Sequence, residues 1–434
     1  MGLRAIKFGG TSLASASQIK KAVGIIKAQP DRRYLVASAP GKRSSDDIKI
    51  TDLLYELYER RNGDYGPTLS AIQSRFTEIA QELGVDIDLD SIFAEIERQL
   101  LADAGMDYFA SRGEYLNSMI IAAHLGWTFI DAAEVICFCE DGTFLSEETN
   151  MVLGEALDKV ERAVVPGFYG ATPSGVVRTF SRGGSDVTGA LVARAAKVDV
   201  YENWTDVSGI LMADPRIVQA PQPITRISYT ALRQLTYLGA SVLHENAIYP
   251  VRRAGIPTNI RNTDRPDDPG TWIQADAPGD QVTSSIAPKI IGLAGRTGCT
   301  AITVRKVQWS GSLGVGAGLL QLFDEANIAV DLVLTSVDAW TIIIRGDSKT
   351  LETVVAKIQT LEPDSYEVRD GLALVGVVTT GIVSRGTINA NIADALLEAG
   401  IEIHVDSCAD SMQVVVVDTS RYEDAVRAIY QALV

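Results

Sequence analysis

Cysteine and histidine are scarce in this chain of 434 residues, which carries four of the former and three of the latter. The cysteine spacing matches neither a C-x-x-C pair nor a disulfide framework, so we expect free thiols in a reducing compartment, the cytoplasm. His244-Glu245 begins like a helical zinc motif, but Ile248 stands where the second histidine of that motif belongs. We therefore expect neither a protein-bound metal nor a disulfide scaffold.

Positive charge is also in short supply. Lys and Arg number 39 against 55 Asp and Glu, which gives a net charge of −16. A chain this acidic is a poor partner for nucleic acid or for an anionic membrane. An anionic substrate must therefore be held by positive groups gathered locally.

Long hydrophobic runs are missing as well. The most apolar long window, Ser118 to Phe138, is interrupted by His124, Asp131 and Glu134, which predicts a buried core segment instead of a membrane span. Met1 is followed almost at once by a predicted strand, without a basic and then apolar leader. We expect no membrane partner.

The sequence does contain the pattern of a layered α/β protein. Hydrophobic residues make up 46% and charged residues 22%, as in globular proteins, and the length predicts two or three domains. Ala5–Phe8 and Tyr34–Ser38 are predicted strands, and a helix from Ser15 or Ser17 to about Ala28 lies between them. This βαβ unit implies a parallel sheet, whose ligands bind at the carboxyl ends of the strands.

Two glycine pairs follow predicted strands. Gly9-Gly10 follows the first strand, and Gly183-Gly184 lies between the apolar run Val176–Phe180 and a predicted helix from Val187 to Lys197. Glycine lets a ligand approach the backbone closely, and the bare N–H groups and dipole of a helix start favour an anion. The alternative for the second pair is a simple Ser or Asp helix cap after a tight turn.

Positive or donor-rich groups are expected to converge at these strand ends, namely Lys7, Gly9, Gly10, Arg182, Gly183, Gly184 and Arg216. Such a set suits a polyphosphate, because a transferring phosphoryl group needs neutralisation of its charge. Gly9-Gly10 lacks the Gly-Lys-Ser/Thr of a Walker A loop, so Lys7 would reach the phosphates from its strand. The alternative for Lys7 is a strand-end lysine in solvent.

Glu114 and Arg182 form a pair that suits a zwitterion, with a carboxylate for an amine and a guanidinium for a carboxylate. The alternative for Glu114 is an acid favoured by the dipole at the start of a helix predicted from Tyr115 to Gly126. Thr205-Asp206 ends a predicted strand and suits a ribose or a base. Its alternative is an Asx turn.

The C-terminal part repeats itself weakly after a predicted linker, Asn262–Pro288. Ala326–Asp331 resembles Ala399–Asp406, and each copy has a helix before it, a strand after it and a closing helix. Two tandem small α+β units are the natural interpretation. Gly311 to Gly318 fails the dinucleotide pattern because Leu319 occupies its last glycine position, which leaves a ligand-binding turn and tight packing both open.

Several segments occur in the order found in one family. Lys7–Ser12 resembles the opening of aspartate kinases, members of the amino-acid-kinase superfamily, and Ser111–Glu114 is similar to their S-x-G-E. Ser181–Asp186 resembles their G-R-G-G-S-D, and Trp204–Gly209 followed by Asp214–Arg216 resembles their W-T-D-V-x-G and D-P-R. The ordered set spans nearly the whole chain, and the tandem repeat resembles the paired ACT domains of this family.

The resemblance implies an α/β fold, a mainly parallel sheet of amino-acid-kinase type sandwiched by helices, followed by two α+β ACT-like units. It places the catalytic domain at 1–285, the first ACT unit at 306–370 and the second at 290–305 plus 371–434. ACT units bind amino-acid effectors and mediate dimerisation, so a homodimer or tetramer is expected.

By the same resemblance the chain phosphorylates the β-carboxylate of L-aspartate with ATP and Mg²⁺, the first step towards lysine, threonine and methionine. The catalytic residues implied are Lys7, Arg182 and Asp186, and those holding aspartate are Ser38, Thr51, Glu114 and Arg182. The ATP-binding residues implied are Lys7, Phe8, Gly9, Gly10, Gly183, Gly184, Thr205, Asp206, Leu211 and Arg216. The effector, lysine or threonine, would meet Ser312, Gly314, Val315, Gly316, Val330, Asp331, Thr335 and Ser336.

The chain departs from the family pattern at a few positions. Leu211 stands where many members have Tyr, Ser241 where many have Lys, and Glu245 where Pro is usual. Backbone groups must then make those nucleotide contacts. Two other functions stay open: another kinase of the superfamily, acting on glutamate, carbamate or UMP, and a non-catalytic amino-acid sensor built on the ACT units.

Overall fold

The computed structural model describes residues 2–181, 183–240, 243, 245–275, 290–307, 313–379, 385–409 and 411–434. The chain divides into two compact units. The first comprises Met1–Ile210, Pro223–Tyr229 and Val242–Ala275, and the second comprises Leu211–Gln222, Thr230–Ser241 and Asp276–Val434. No helix within the described ranges is both long and apolar enough to cross a membrane.

The first unit contains most of the strands up to residue 275. They are β1 (Arg4–Phe8), β2 (Arg32–Ala37), β3 (Thr128–Phe129), β4 (Ala163–Pro166), β5 (Tyr169–Ala171), β6 (Val177–Thr179), β7 (Val200–Thr205), β8 (Ile210–Leu211), β9 (Pro223–Ile224), β10 (Arg226–Ser228), β11 (Thr258–Asn262) and β12 (Thr271–Gln274). The last residue of β8 begins the second unit.

Ten helices are described up to residue 275. They are α1 (Ala16–Lys27), α2 (Ile50–Glu59), α3 (Gly66–Leu83), α4 (Leu89–Leu101), α5 (Met106–Leu125), α6 (Ala132–Val135), α7 (Ser146–Leu157), α8 (Gly184–Ala195), α9 (Tyr229–Leu238) and α10 (Glu245–Ala254). All but the first residue of α9 belongs to the second unit.

The main sheet of the first unit is mostly parallel, and its strand order is β10-β12-β11-β7-β1-β2-β4-β3. β1 lies between β2 and β7 and runs parallel to both, while β11 and β12 pair antiparallel. Ser15 caps α1 by accepting a hydrogen bond from the backbone N–H of Gln18, as the predicted helix start requires. The predicted βαβ unit and α/β fold class are confirmed.

The helices between β2 and β3 contribute apolar side chains to the hydrophobic core of the first unit. Ile72 and Phe76 of α3 and Phe93 of α4 pack in one cluster with Phe8 of β1 and with α1 and α5. Their spacing on each helix leaves one apolar face, which is buried against the rest of the unit. These apolar faces hold α3 and α4 to the core of the first unit.

Two local predictions were wrong. Ser111–Glu114 lies inside α5 instead of before a helix that begins at Tyr115. The predicted linker contains β12, because Thr271 and Ile273 have the alternating burial of a paired strand. The strand predicted before the second glycine pair is present as β6, which pairs with β5 in a separate ribbon.

The second unit is built on one antiparallel sheet of six strands in the order β14-β15-β13-β16-β18-β17. Its elements are β13 (Ile290–Arg305), α11 (Leu313–Glu325), β14 (Val330–Thr335), β15 (Ala339–Arg345), α12 (Glu352–Ile358), β16 (Ser365–Thr379), α13 (Arg385–Glu398), β17 (Val405–Ala409), β18 (Met412–Asp418) and α14 (Tyr422–Leu433). The repeat predicted from the sequence appears as two strand pairs, β14-β15 and β17-β18, on opposite edges. The ACT-like fold class is thus confirmed.

The first unit contains a buried ion cluster centred on Glu202 of β7. The Glu202 carboxylate accepts from Arg32 Nε at 2.8 Å, from Trp204 Nε1 at 2.9 Å and from Arg4. Burial opposes ionisation of Glu202, yet the Arg32 guanidinium lowers the pKa of this carboxyl below its ordinary value. One carboxylate thus forms ion pairs with two guanidinium groups beside the central strand.

We predict that Glu202→Gln destabilises the protein strongly, because it leaves two partly buried guanidinium groups without a counter-charge. Breaking such a cluster costs about 3–5 kcal/mol. Scanning calorimetry should show a large drop in the melting temperature, whereas Glu155→Gln, at an exposed position of α7, should melt like the parent. Equal melting temperatures for both variants would contradict the structural role.

Candidate active site

One cavity of ≈370 Å³ lies at the carboxyl ends of β1 and β2. It is lined by residues of four elements and of the turns next to them: Lys7, Gly9, Gly10, Ser38, Thr51, Tyr55, Glu114, Phe168, Ser181, Gly183, Gly184, Ser185 and Asp186. Nine of the residues predicted to bind phosphate or substrate meet here. They are Lys7, Gly9, Gly10, Ser38, Thr51, Glu114, Gly183, Gly184 and Asp186.

The first glycine turn is held by backbone contacts at the strand ends. The N–H of Gly9 donates to the carbonyl of Trp204 at 3.0 Å, and the carbonyl of Gly10 accepts from the N–H of Gly41 at 2.8 Å. A Cβ on Gly41 would lie 2.7 Å from the carbonyl carbon of Gly10. The turns after β1 and β2 therefore touch, and a side chain at Gly41 would push them apart.

The second glycine turn begins α8. Gly183 is the N-cap residue in the left-handed region, with φ of 60°, which glycine adopts without steric cost. A Cβ on Gly184 would collide with the ring of Phe168, so close packing also requires glycine here. The first N–H groups of a twelve-residue helix thus face the cavity, where they suit an anion.

Lys7 is 7% exposed, and its ammonium Nζ lies 2.6 Å from the Asp186 carboxylate. Asn203 of β7 donates to the same carboxylate oxygen at 2.9 Å. Asp186 therefore fixes the position of the lysine in the cavity. The prediction that Lys7 is a solvated surface lysine is excluded by this burial.

Glu114 is the buried acid of the cavity, with only 5% of its surface exposed. Burial raises the pKa of its carboxyl to about 8, although hydrogen bonds from the Ala39 backbone and the Ser185 hydroxyl and the charge of Lys7 act in the opposite direction. One of its carboxylate oxygens has no hydrogen-bond partner. A buried oxygen of this kind is suited to accept from a cationic ligand.

Ser38 and Thr51 approach the cavity from the segment between β2 and α2. Asn117 of α5 donates to the carbonyl of Ser38 at 2.7 Å and thereby fixes the end of β2. Thr51 lies in the first turn of α2, whose first residue, Ile50, donates its N–H to the carbonyl of Pro40. Hydroxyl groups on two neighbouring segments thus face one space.

Four lining residues were not predicted to bind a ligand: Tyr55, Phe168, Ser181 and Ser185. Tyr55 is four residues after Thr51 on α2, a spacing that places both on one helix face and would have indicated it. Ser185 follows the second glycine pair and was considered only as a helix cap. Phe168 has a φ of 81°, unusual for a bulky side chain, and no pattern in the sequence signals that conformation.

The residues predicted to hold the nucleotide are found in different settings. Phe8 is fully buried and stacks on Trp204, so only its backbone can face a ligand. Thr205 ends β7, and its hydroxyl donates to Asp206 at 3.1 Å. In the second unit, Leu211 is partly exposed and Arg216 forms a bidentate pair with Asp214. Arg182 and Ser241 lie outside the described residues.

A second cavity of ≈610 Å³ in the first unit is formed by α1 and the segment after β11. Its cations are already engaged: Lys21 pairs with Asp264 at 2.8 Å, and Arg32 belongs to the Glu202 cluster. The guanidinium of Arg261 lies over the Trp204 ring and donates to backbone carbonyls. These groups connect segments of the first unit to one another, and we assign no ligand to them.

Of the predicted effector residues, Asp331 has the clearest environment. Its carboxylate lies 2.5 Å from Arg296 of β13, its second oxygen is buried without a partner, and its carbonyl accepts from the Tyr237 hydroxyl. Val330 and Thr335 are the first and last residues of β14, and Ser336 follows it. The role of Asp331 in effector binding stays a prediction, and one of its carboxylate oxygens is already paired with Arg296.

The predicted effector turn is also different from expectation, because α11 already begins at Leu313 and not near Leu319. Gly316 lies in the first turns of this helix, where a Cβ would collide with Trp340, so tight packing explains this glycine. Ser312 lies outside the described residues. Of Gly314 and Val315 only the helical backbone is described.

Comparisons with known proteins show which family the chain is similar to. The model of the amino acid kinase family matches residues 2–262. Aspartokinase 3 of Bacillus subtilis is 32% identical over 99% of this chain and 98% of its own, and lysine-sensitive aspartokinase 3 of Escherichia coli is 28% identical over 86% of each chain. The crystal structure of aspartate kinase from Clostridium acetobutylicum is similar over all of both chains, with 39% identity and a TM-score of 0.88.

We predict that Glu114→Gln changes how stability depends on pH. The folded protein holds the Glu114 proton up to a pKa of about 8, against an ordinary value of 4.5, so it binds more protons than the unfolded chain within that window. This contribution to stability is therefore lost as pH rises from about 4.5 to about 8. The melting temperature of Glu114→Gln relative to the parent should rise over the same window.

Exposed Glu59, at the end of α2, provides the control, because Glu59→Gln should follow the parent at every pH. A constant difference in melting temperature between Glu114→Gln and the parent across the window would contradict the raised pKa.

Proposed function

The chain belongs to the amino acid kinase family and, within it, to the aspartokinases, and from this premise we propose how its cavity performs the reaction. The reaction is ATP-dependent phosphorylation of the β-carboxylate of L-aspartate to 4-phospho-L-aspartate, the first step towards lysine, threonine and methionine. The observation that supports this site most directly is the convergence of a buried lysine, two glycine turns and a buried carboxyl on one cavity.

Phosphate binding is assigned to the positive end of the cavity. The Lys7 ammonium, the Gly9-Gly10 turn and the N-terminus of α8 at Gly183-Gly184 supply charge and donors that need no reorganisation during transfer. Asp186 and Asn203 hold Lys7 in place. Developing charge on the transferred phosphoryl group is thus stabilised by groups that are already oriented.

Mg²⁺ is assigned to the phosphates of ATP. The described residues contain no cluster of three or more acidic, histidine or cysteine side chains that could hold a metal. Asp186, the acid beside Lys7, would hold the ion together with the phosphates of ATP, because Mg²⁺ prefers oxygen ligands and is commonly bound by one or two carboxylates. The chemistry that Mg²⁺ would supply there is neutralisation of phosphate charge.

Aspartate is assigned to the opposite side of the cavity. The unpartnered oxygen of Glu114 accepts from the ammonium group, and the hydroxyls of Ser38 and Thr51 bind its carboxylates. Arg182 is assigned a carboxylate on the family resemblance alone. The β-carboxylate is ionised at neutral pH and is itself the nucleophile, so the reaction needs no general base.

The remaining nucleotide contacts are proposals from the resemblance. We assign Thr205, Asp206 and the backbone of Phe8 in the first unit to the nucleotide, and the roles of Leu211 and Arg216 stay predictions from the resemblance. The free cysteines, Cys137, Cys139, Cys299 and Cys408, agree with a proposed reducing, cytoplasmic setting.

The test is ADP release with a panel of acceptors: L-aspartate, L-glutamate, carbamate and UMP. We predict turnover with aspartate, and Lys7→Met should lower kcat by about a hundredfold or more, as expected for loss of a preorganised donor. The Michaelis constant for aspartate should change little. Lys27→Met, at an exposed position of α1, is the matched control and should behave like the parent.

Turnover with another acceptor and not with aspartate would favour a different kinase of the family. Absence of turnover with every acceptor, together with amino-acid binding, would favour the sensor function. A Lys7→Met variant with near-normal kcat would remove the phosphate role of that lysine.

Feedback control acts through the ACT-like second unit, and we propose lysine as its first effector and threonine as the second. A relative of this chain is named a lysine-sensitive aspartokinase. The effector carboxylate would lie at the N-terminus of α11, and its ammonium at the unpartnered oxygen of Asp331. We further propose that these units join two or four chains.

We predict that lysine inhibits aspartate phosphorylation, because it binds one conformation better than the other by about 1–3 kcal/mol. Asp331→Asn should raise the inhibitory concentration of lysine at least about tenfold, since it removes the charge that faces the ammonium. Inhibition should be measured with lysine, threonine and methionine, singly and in pairs. Asp324→Asn, exposed on α11, is the control, and unchanged inhibition of Asp331→Asn would place the effector elsewhere.

A further inference from the structure

Arg75 is a buried arginine that lies outside the active-site cavity. It belongs to α3 and is only 5% exposed. Burying a guanidinium in a protein is costly unless its donors are satisfied, so its partners identify what the side chain holds together. All of them lie in turns next to the cavity.

One nitrogen of Arg75 joins two separate turns. Nη2 donates to the carbonyl of Ala14 and to the carbonyl of Gly41, both at 2.8 Å. Ala14 follows the turn that begins at Gly10, and the N–H of Gly41 donates to the Gly10 carbonyl. Arg75 therefore fastens the far side of the contact between the phosphate turn and the turn after β2.

The other terminal nitrogen holds the segment that leads to the aspartate side of the cavity. Nη1 donates to the Asp47 carboxylate at 2.8 Å. Asp47 also accepts from the side chain and the backbone N–H of Arg43, and the hydrogen bonds from Arg43 and Arg75 hold the pKa of its carboxyl well below the ordinary value. Asp47 lies shortly before α2, which carries Thr51 and Tyr55 into the cavity.

We infer that Arg75 is a positioning residue for phosphoryl transfer, which sets the spacing between the phosphate-binding turn and the aspartate-binding segment. This inference rests on the proposed function. Arg75 touches neither substrate, because it is not among the residues that line the cavity. It acts through Gly41 and Gly10 on one side and through Asp47 and α2 on the other.

The geometry requires a guanidinium and not merely a positive charge. Two terminal nitrogens in a rigid fork reach two carbonyls and one carboxylate at the same time, whereas a lysine ammonium is a single point donor at the end of a flexible chain. Arg75→Lys therefore keeps the charge and removes the fork. The two turns then lose their common anchor without loss of the hydrophobic face of α3.

The experiment compares Arg75→Lys with Arg98→Lys, the control on α4, whose side chain is 65% exposed and pairs with Glu95 of the same helix. We expect Arg75→Lys to lower kcat by about ten- to a hundredfold, because small displacements of reacting groups have effects of that size. Asp47→Asn keeps both carbonyl bonds, so it should mainly raise the Michaelis constant for aspartate. Arg98→Lys should match the parent.

A variant that combines Arg75→Lys with Asp47→Asn tests whether the two residues act as one network. If Asp47 acts through Arg75, the double variant should be little worse than Arg75→Lys alone, because the two changes break one network. Amide hydrogen exchange supplies a readout that does not depend on turnover: exchange over 10–14 and 41–49 should accelerate in Arg75→Lys and not in Arg98→Lys. Asp47→Asn tests the same segment if Arg75→Lys folds poorly.

A folded Arg75→Lys protein with parental kcat, parental Michaelis constants and parental exchange over these turns would overturn the inference. A lower melting temperature with unchanged kinetic constants would also overturn it, because that is the result of a purely structural role. If the parent itself transfers no phosphate to aspartate, the proposed function fails, and the exchange comparison still tests the anchoring by Arg75.

Discussion

The active site depends on the contact between two backbone turns at the ends of adjacent parallel strands. Gly10 and Gly41 approach so closely that a Cβ on either would force the turns apart. Because β1 carries Lys7 and the segment after β2 carries Ser38 and Thr51, this contact brings the proposed phosphate-binding and aspartate-binding residues to one cavity. A parallel sheet supplies such a place because the carboxyl ends of its strands meet on one edge.

In a chain with more acidic than basic residues, the positive groups that bind an anionic substrate must be gathered locally. Three buried cations of the first unit have separate tasks: Lys7 faces the cavity, Arg75 holds its turns, and Arg32 pairs with Glu202. Each of these three is paired with a carboxylate, since an unpaired buried charge would be costly. Burial likewise opposes charge on Glu114 and raises the pKa of its carboxyl to about 8, which favours its protonated form near neutral pH.

Residues whose chemistry depends on local sequence were predictable, and those that depend on packing were not. Lys7, Gly9, Gly10 and Glu114 were identified because strand ends, glycine pairs and an ordered family resemblance all pointed to them. The helix that follows Glu114 was predicted to begin at Tyr115, whereas Glu114 lies inside α5. Gly113 is required within that helix, because a Cβ there would lie 2.7 Å from the Cβ of Ala39.

Ion pairs between residues far apart in the chain could not be predicted, for a similar reason. Asp331 was predicted to meet the effector, and its pairing with Arg296 of β13 was not predicted. Nothing local in the sequence connects two residues on different strands of a sheet. Tyr55 and Phe168 line the cavity through tertiary placement of a helix face and of a strained turn. Such placements follow from the packed fold, which single-sequence patterns describe only in outline.

The second unit contains more than the tandem repeat, and this has a consequence for control. The segments 211–222 and 230–241 belong to it, with Ala213 and Val218 packed in the same core as Val375 and Ile429. Arg427 of α14 donates to the carbonyl of Ile217, and Tyr237 donates to the carbonyl of Asp331. Both segments continue directly into residues of the first unit, at Ile210 and at Tyr229. The two segments thus link the second unit to the first through the chain itself, and coupling requires in addition a ligand that binds one state of the protein better than the other.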